Sequence, residues 1–359
     1  MPHIPPFAKA DLGAEVIQFS PTSSSSGVKI TNVRPVASYS WIEAPIPTIA
    51  VPGSPNIWTD ERIRRVPADS GFYIINQNSY RMGPNASPLA PLFAAVDELG
   101  EYDYASLDVV TDRNNLRQLL RWIAGTVDPE GFRIDIESSG KTCILTRRLE
   151  KNSEVIREFR GFGHEYEKAA TTPAPGCENA TGHHRIISMN IADLKVLQRF
   201  EVDACAVTSV REDWPQSISG IQIYRTTSPR LVPQSSLIEL MTRASHKLLN
   251  WSEVYPQLYL SQTPHLYLAK HRKGVFMDVE KIPIDGEEME PYMREVEQRI
   301  GKLRDVLVHI LKAVREDIGT LFSLVCENGR LALCRREKES GMSVGKDILQ
   351  KFSVKQDEE

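Results

Sequence analysis

Apolar and polar positions along the chain follow two periods. In "TDRNNLRQLLRWIAG", Leu116, Leu119, Leu120 and Ile123 fall on one stripe, and Val296, Ile300, Leu303, Leu307, Leu311 and Val314 mark a longer one; each predicts an amphipathic helix. The first has capping candidates at Thr111 or Asp112 and a stop at Gly125. Period two governs "FRIDIESSGKTCILTRR": Phe132, Ile134 and Ile136 share a face, the chain turns at Ser138 to Gly140, and it returns through Cys143 and Leu145 as a hairpin. Strands are expected in "RIISMNI", "RFEVDACAV", "SGIQIYR", "SLIELMTR" and, as a pair, "HLYLAKHRKGVFMDVEKI". Helices are expected in "GFGHEYEKAATT" and "ASHKLLNWSEVYPQLYLSQ", and a last hairpin turns at Glu327, Asn328 and Gly329. The pattern as a whole predicts an α+β fold with a mixed central β-sheet flanked by helices.

The early chain is less regular. Residues 1–35 carry "PTSSSSG" and scattered prolines, a composition that cannot offset its ordering entropy, so a flexible arm is expected there and a flexible tail over 341–359. Between them no repeat and no Gly/Ser linker divides the chain, which predicts one large domain over 36–340. Within it, "SYSWIEAPIPTIAVPGSPNIW" reads as loops and edge strands wrapped over a core, and the first clear helix is expected only at the Leu116 stripe.

Composition sharpens this picture in three places. At 359 residues and 41% hydrophobic content the chain can bury a large core. A net charge of −4 provides no global positive field, so any polyanion must be met locally and no anionic membrane is expected as a partner. Five cysteines without a CxxC suit a reducing compartment. With no signal-peptide core and no apolar run of bilayer length, the expectation is a soluble intracellular protein, nuclear or cytoplasmic, in which the sequons at Asn85 and Asn179 are chance matches.

Candidate chemistry emerges where a strand carries acids it has no structural need for. In "FEVDACAV", Phe200, Val202 and Ala204 share one face, leaving Glu201 and Asp203 on the other with Cys205. Glu239 sits mid-strand in "LIELMTR", and Glu167 lies one helical turn after Gly163, a residue that permits close backbone approach. Together the four acids form an oxygen-only donor set suited to Mg²⁺ or Mn²⁺ rather than zinc. A lone E-x-D is more often a solvated edge. Arg113, in the first turn of its helix, opposes the dipole unless it and the free N–H groups hold an anion such as phosphate; the plainer alternative is that it extends into water. Cys177, His183 and His184 match no standard zinc spacing and read as a polar loop. Trp58 and Trp214 could stack on bases, but ordinary partial burial is the simpler expectation. The chain contains no nucleophile elbow, no GxxxxGK[ST], no GxGxxG and no DDxxD.

Taken in order, the segments "VTDRNNLRQLL", "FRIDIESSGKTCIL", "GHEYE", "EVD", "IELMT" and "WSEVYPQLYLSQTPHLYLAKHRKG" resemble those of the DXO-type family of RNA 5′-end decapping exonucleases, over roughly residues 35–336. The family's core is related to the PD-(D/E)XK nucleases. The resemblance places Arg113 at a motif arginine, Gly163, Tyr166 and Glu167 at G-h-x-h-E with His164 in a normally apolar slot, Glu201 and Asp203 at E-h-D, Glu239 at E-h-K and Gln257 at a motif glutamine. It implies a divalent-metal cleft of Glu167, Glu201, Asp203 and Glu239, with Gln257 among the catalytic residues. The phosphates of a single-stranded RNA 5′ end would lie near Arg113, Gln257 and Arg243. The activity implied is hydrolysis at the first phosphodiester or pyrophosphate linkage: decapping, NAD-cap removal, pyrophosphohydrolysis or 5′–3′ degradation, in nuclear mRNA quality control, with a 5′–3′ exoribonuclease as a protein partner.

One position departs from the family. Met241 replaces the lysine of E-h-K and can supply neither charge nor proton donor, a loss worth on the order of 10²- to 10³-fold in rate. Arg243, two residues on and facing the same way, and Lys247 are candidate substitutes, although a guanidinium copies an ammonium poorly. The leading expectation is a metal-dependent RNA 5′-end hydrolase weakened by Met241. Its rival is a degenerate relative that binds RNA 5′ ends or an exonuclease as a scaffold, and a nuclease acting on DNA is a third. The rival has no physical need for four acids together.

Overall fold

The structure, a computed structural model, describes residues 7–20, 27–84, 86–206, 216–218, 220–225, 231–337 and 344–353. In chain order these form β1 (Leu12–Phe19), β2 (Ile30–Ile42), β3 (Thr48–Val51), β4 (Asn56–Trp58), β5 (Phe72–Ile74), α1 (Gln77–Met82), α2 (Ala90–Leu99), β6 (Val109–Asp112) and α3 (Arg113–Ile123). There follow β7 (Phe132–Ser139), β8 (Thr142–Arg148), β9 (Ser153–Val155), α4 (Gly163–Ala170), β10 (Thr171–Thr172), β11 (Ala180–Ile191), β12 (Leu194–Val202), β13 (Ala204–Cys205), β14 (Gln216–Ile218) and β15 (Ile221–Arg225). The chain continues through β16 (Leu237–Ala244), α5 (Trp251–Ser261), β17 (His265–Arg272), β18 (Val275–Pro283), α6 (Glu290–Glu316), β19 (Phe322–Glu327), β20 (Arg330–Arg336) and α7 (Lys346–Gln350).

The mixed sheet expected from sequence is present, as a large sheet and a smaller companion. Twelve strands run in the order β1-β20-β19-β7-β8-β6-β12-β11-β2-β3-β15-β14, and six in the order β10-β4-β13-β16-β17-β18. Strand alternation divides the core between two faces of the large sheet. Val109, Leu145 and Val196 join Leu116 and Leu119 of α3, Tyr255 of α5 and Leu303 of α6 on one side. Their neighbours Val110, Ile144 and Leu197 face Phe93 of α2 and Ile348 of α7 on the other. Helices thus cover both faces, and the sheet's central strands are hydrophobic on each.

Three adjacent strands, β8, β6 and β12, run parallel, with Thr111 opposite Leu145 and Asp112 opposite Arg199. Parallel strands release the chain at a common edge, which is where open α/β sheets place ligands. From that edge β6 leads into α3, while β12 leaves the large sheet through Asp203 and re-enters pairing in the second sheet as β13, against β4 and β16. "EVDAC" is therefore not one continuous strand. Its break at Asp203 is the joint between the two sheets.

Arg199 fixes this edge. Its Nε and Nη2 donate to the two oxygens of Asp112 at 2.7 and 2.9 Å, and its Nη1 donates to Tyr39 Oη at 3.0 Å and to the Pro88 carbonyl at 2.8 Å. Burial alone would lower the pKa of Arg199, but Asp112 holds it above the ordinary arginine value. Asp112 occupies the N-cap position of α3, yet it makes no side-chain cap bond because the guanidinium takes both oxygens.

Several sequence expectations are corrected. Residues 12–19, assigned to the flexible arm, form β1 and pair with β20 from Leu12–Arg336 to Phe19–Leu331, a partner some three hundred positions away that local composition does not reveal. Residues 30–35 open β2, which is no edge strand: it lies between β11 and β3 with Tyr39 and Trp41 fully buried. From the expected tail, α7 delivers Phe352 against Phe93 and Tyr104, at ring separations of 5.9 and 5.5 Å. α2 escaped notice because its first seven residues are all apolar and buried and so show no polar face, the acids Asp97 and Glu98 coming only in its last turn. His183 and His184 lie on β11 rather than in a loop, bonded to Ser40 at 2.9 Å and Asn78 at 3.1 Å, with burial holding both well below the usual histidine range. Asn85 and Trp214 fall outside the described residues, as do 1–6, 21–26 and 354–359.

Asp112→Ala would strand a buried guanidinium. We expect it to lower unfolding free energy by about 3–5 kcal/mol, readable in urea denaturation, with Arg199→Met at Asp112→Ala recovering part of the loss because it removes the stranded charge.

Candidate active site

The four acids picked out by sequence arrive from three directions. Glu201 ends β12, Asp203 occupies the joint between the sheets, Glu239 lies on β16 and Glu167 on α4. β13 pairs with β16, Ala204 opposite Ile238, and this register carries Asp203 alongside Leu240, whose N–H donates to Asp203 Oδ2 at 2.8 Å. The start of α4 sits over the same strand: a Cβ at Gly163 would lie 3.6 Å from Thr242 Oγ1. That is ordinary contact, so Gly163 is not required for the approach that the sequence suggested.

Glu239 is held on both sides. Arg113 Nη1 donates to its Oε2 at 3.2 Å and to Ser261 Oγ at 3.2 Å, while Gln257 Nε2 donates to its Oε1. The guanidinium also lies over the Phe200 ring, 5.6 Å from its centroid. Arg113 and Gln257 therefore do come to the acids, from α3 and α5 respectively. Arg243 does not: its Nε donates to the Leu248 carbonyl at 3.1 Å, in the turn after β16, and Lys247 is exposed. Met241, half-buried, stands between them on the Glu239 face of the strand.

The electrostatics record how close the acids are. Burial, then Glu201, Glu239 and Asp69, push Glu167 up to about 7. Burial, reinforced by Glu239, Glu167 and Glu201, raises Asp203 well above the carboxylate range, the Leu240 N–H opposing. Glu201 opens to solvent along one edge but is crowded by protein, which raises it too; Arg113 opposes this and Glu239 adds to it. Acids that raise one another in this way are a hard-cation donor set by chemistry. In geometry the set is open: among the described residues no three Asp, Glu, His or Cys side chains converge enough to hold a metal ion. Glu239 is turned instead to Arg113. A cavity of about 420 Å³ beside α6, lined by Asp108, Leu194, Leu311 and Arg315 among others, shares no residue with this cluster.

Sequence reasoning missed several residues here. Asp69 accepts from the Glu165 N–H at 3.0 Å and so caps α4. Ser261 and Phe200 position Arg113, and two arginines, Arg117 and Arg147, lie beside it. The i, i+4 spacing of Arg113 and Arg117 was legible; Asp69, nearly a hundred residues before Glu165, carried no signal.

A family model described as "Domain of unknown function (DUF8563)" matches residues 14–332. No curated protein matches the chain in sequence. Among solved structures, Scheffersomyces stipitis Rai1 in complex with (3′-NADP)⁺ and calcium ion is 12% identical, with a TM-score of 0.61 over 95% of this chain and 98% of that one. Candida albicans Rai1 in complex with pU5-Mn²⁺ is 14% identical, TM-score 0.56, over 95% and 96%. K. lactis Dxo1 in complex with manganese is 12% identical, TM-score 0.51, over 95% and 96%. The chain therefore carries the fold of the Rai1 and Dxo1 structures, as its ordered motifs led one to expect.

Glu167 provides a pH test. Its folded pKa, about 7, exceeds the unfolded carboxylate value, so the folded state binds the extra proton and stability falls as pH rises through the window from the unfolded value to about 7, with a constant penalty above. With chelator present, denaturation at a series of pH values is expected to show this loss in the wild type and a flatter profile in Glu167→Gln over the same window.

Proposed function

Since the chain belongs to the DUF8563 family, whose description names no activity, we propose a function from its own residues: it hydrolyses a phosphodiester or pyrophosphate bond at the 5′ end of single-stranded RNA, with a divalent ion, Mg²⁺ or Mn²⁺, held by Glu167, Glu201, Asp203 and Glu239. The observation that carries this reading is the meeting of four mutually repelling acids at the edge where three parallel strands end, on a fold shared with Rai1 structures that hold pU5-Mn²⁺ and a dinucleotide with calcium. A divalent ion bound there supplies a Lewis acid for the phosphoryl oxygens and lowers the pKa of its water.

The protein's own groups divide the remaining work. Glu239 is oriented by Gln257 and Arg113, so its carboxylate is held in place before any ligand arrives. Asp203 is fixed by the Leu240 N–H. Arg113 uses Nη1 for Glu239 and Ser261, which leaves Nε and Nη2 as donors to a phosphate. Release of Arg113 from Glu239 toward that phosphate would free an acid oxygen for a divalent ion. The proposed catalytic residues are Glu167, Glu201, Asp203, Glu239 and Gln257, with Arg113 binding phosphate; Arg243, tied to Leu248, is not proposed to do so.

A second reading has its own observation. Met241 leaves the face of β16 beside Glu239 without a cation, which favours a relative that binds RNA 5′ ends, or a 5′–3′ exoribonuclease, without cutting. The two are separated by one assay. With Mn²⁺, the wild type is expected to release product from RNA bearing a 5′-triphosphate, 5′-monophosphate, unmethylated cap or NAD cap, and Glu239→Ala to abolish it. Met241→Lys is expected to raise the rate, by up to about 10²- to 10³-fold. Inactivity of the folded wild type on all four substrates would leave the binding reading in its place.

A further inference from the structure

The face of α3 that carries Arg113 continues with Arg117 and Arg121 at successive four-residue steps. Like charges so spaced repel unless each is compensated. Arg113 is compensated by Glu239, and Arg121 by Asp128 through two bonds of 2.7 and 3.0 Å. Arg117, between them, forms no hydrogen bond or ion pair with any described residue, and its Nε is shielded from water without a partner. The exception is unusual for a half-buried guanidinium, which ordinarily meets a carboxylate or carbonyl.

A second arginine faces the same space. On β8, Cys143 and Leu145 point to the α3 side of the sheet, where they pack with Leu116 and Leu119, and period two brings Arg147 to that side next. Asn115 Nδ2 donates to the Leu145 carbonyl at 3.0 Å and so ties α3 to this strand. Arg147 has one long bond, 3.4 Å to the Ile75 carbonyl, and no ion pair among the described residues. Burial lowers the pKa of both arginines; Arg113 and Arg121 lower Arg117 further while Glu239 and Glu253 oppose, and for Arg147 Asp112 opposes the lowering to which Arg117 adds. Two half-buried cations thus share a space in which no described residue forms an ion pair with either: Glu239 and Glu253 act on Arg117, and Asp112 on Arg147, only from beyond ion-pair distance. Tyr73 borders it, 42% exposed, two residues before the Ile75 carbonyl that Arg147 meets, with its ring 6.2 Å from His164, one turn before Glu167 on α4.

We infer that Arg117 and Arg147 form an anion subsite that grips a backbone phosphate of a nucleic-acid strand, one or more nucleotides beyond the end that lies at the four acids, with Tyr73 offering a face to a base. The inference rests on the function proposed above. It follows from two cations that form no ion pair with a described residue, an aromatic beside them and a location on the strand-end edge next to the acids, a combination that suits a nucleotide's phosphate and base together. It also answers how a chain of net charge −4 meets a polyanion: locally, through Arg113, Arg117 and Arg147 at this edge.

The test is binding by the full chain, measured by anisotropy with 5′-phosphorylated pentauridylate and by calorimetry with uridine monophosphate and inorganic phosphate, over a salt series. Arg117→Ala is expected to weaken the pentanucleotide about tenfold and to reduce the salt slope by about 0.7, one single-strand phosphate contact, while uridine monophosphate loses far less. Arg147→Gln should do the same, and the double variant should lose less than the sum of the two, since both grip one phosphate. Circular dichroism checks that each variant folds. The inference is overturned if the folded variants bind the pentanucleotide as the wild type does, if mononucleotide and pentanucleotide weaken equally, or if only inorganic phosphate responds. Indifferent variants of a wild type that hydrolyses RNA would sink this inference alone, whereas a wild type that neither binds nor hydrolyses RNA would sink the proposed function along with it.

Discussion

The edge on which the candidate site is built depends on one buried ion pair, Arg199 with Asp112. It joins neighbouring parallel strands at their last paired residues and occupies the residue from which α3 starts. Asp112 cannot cap α3 while it serves Arg199, so the helix direction is set by a tertiary contact instead of a local one. Through Tyr39 the same guanidinium reaches Asn78, which accepts from Tyr39 Oη at 2.6 Å and Trp41 Nε1 at 2.9 Å. Burying a charge is costly, and this one is tolerated because four hydrogen bonds, to Asp112, Tyr39 and Pro88, engage all three nitrogens of the Arg199 fork. The consequence is positional: Arg113, one residue after Asp112, and Glu201, two after Arg199, are placed relative to each other by a contact that neither makes.

Much of this was legible in the sequence because the signals were local. The stripe of α3, the hairpin of β7 and β8, the long α6 and the last hairpin all appear where periodicity put them. Three of the four acids were legible as residues out of place on expected strands and Glu167 as a helix acid one turn after Gly163, and their order along the chain carried the resemblance that the fold then matched. What was lost was whatever depended on distant pairing. β1 finds its partner at the other end of the chain, β2 lies deep in the sheet although its surroundings are rich in proline, and α2 is apolar enough to have no amphipathic signature. The histidines of β11 had been read as loop residues for the same reason: only burial against Ser40 and Asn78 distinguishes a structural imidazole from an exposed one.

The site shows a similar division. Which residues carry charge was plain from the sequence; which charges are balanced was not. Arg113 read as a helix-start cation either waiting for an anion or extended into water, and it has instead found Glu239. Arg117 drew no reading of its own from the sequence, and it is the member of its row that forms no ion pair with a described residue. Arg243 read as a substitute for the lysine that Met241 replaces, and a turn carbonyl claims it. Pairing is a property of three-dimensional neighbours, so it separates three arginines that spacing alone would treat alike.

That distribution gives Met241 a different meaning from a simple loss. A lysine at this position would add a cation beside Glu239, an acid already bonded to Arg113 and Gln257, and would compete with the guanidinium for the same carboxylate. Without the lysine, Arg113 is the sole cation that contacts the four acids among the described residues, and it is bound to one of them. On the proposed reading an arriving phosphate would be met by Nε and Nη2 of Arg113, and how far it drew the guanidinium from Glu239 would depend on what else holds the phosphate. Arg117, one turn along the same helix, lies where it can help, since a strand gripped there delivers its end to Arg113 at high effective concentration. The methionine at 241 and the unpaired guanidinium at 117 then fit one arrangement, in which the cations nearest the acids come from the helix beside them and not from the strand beneath.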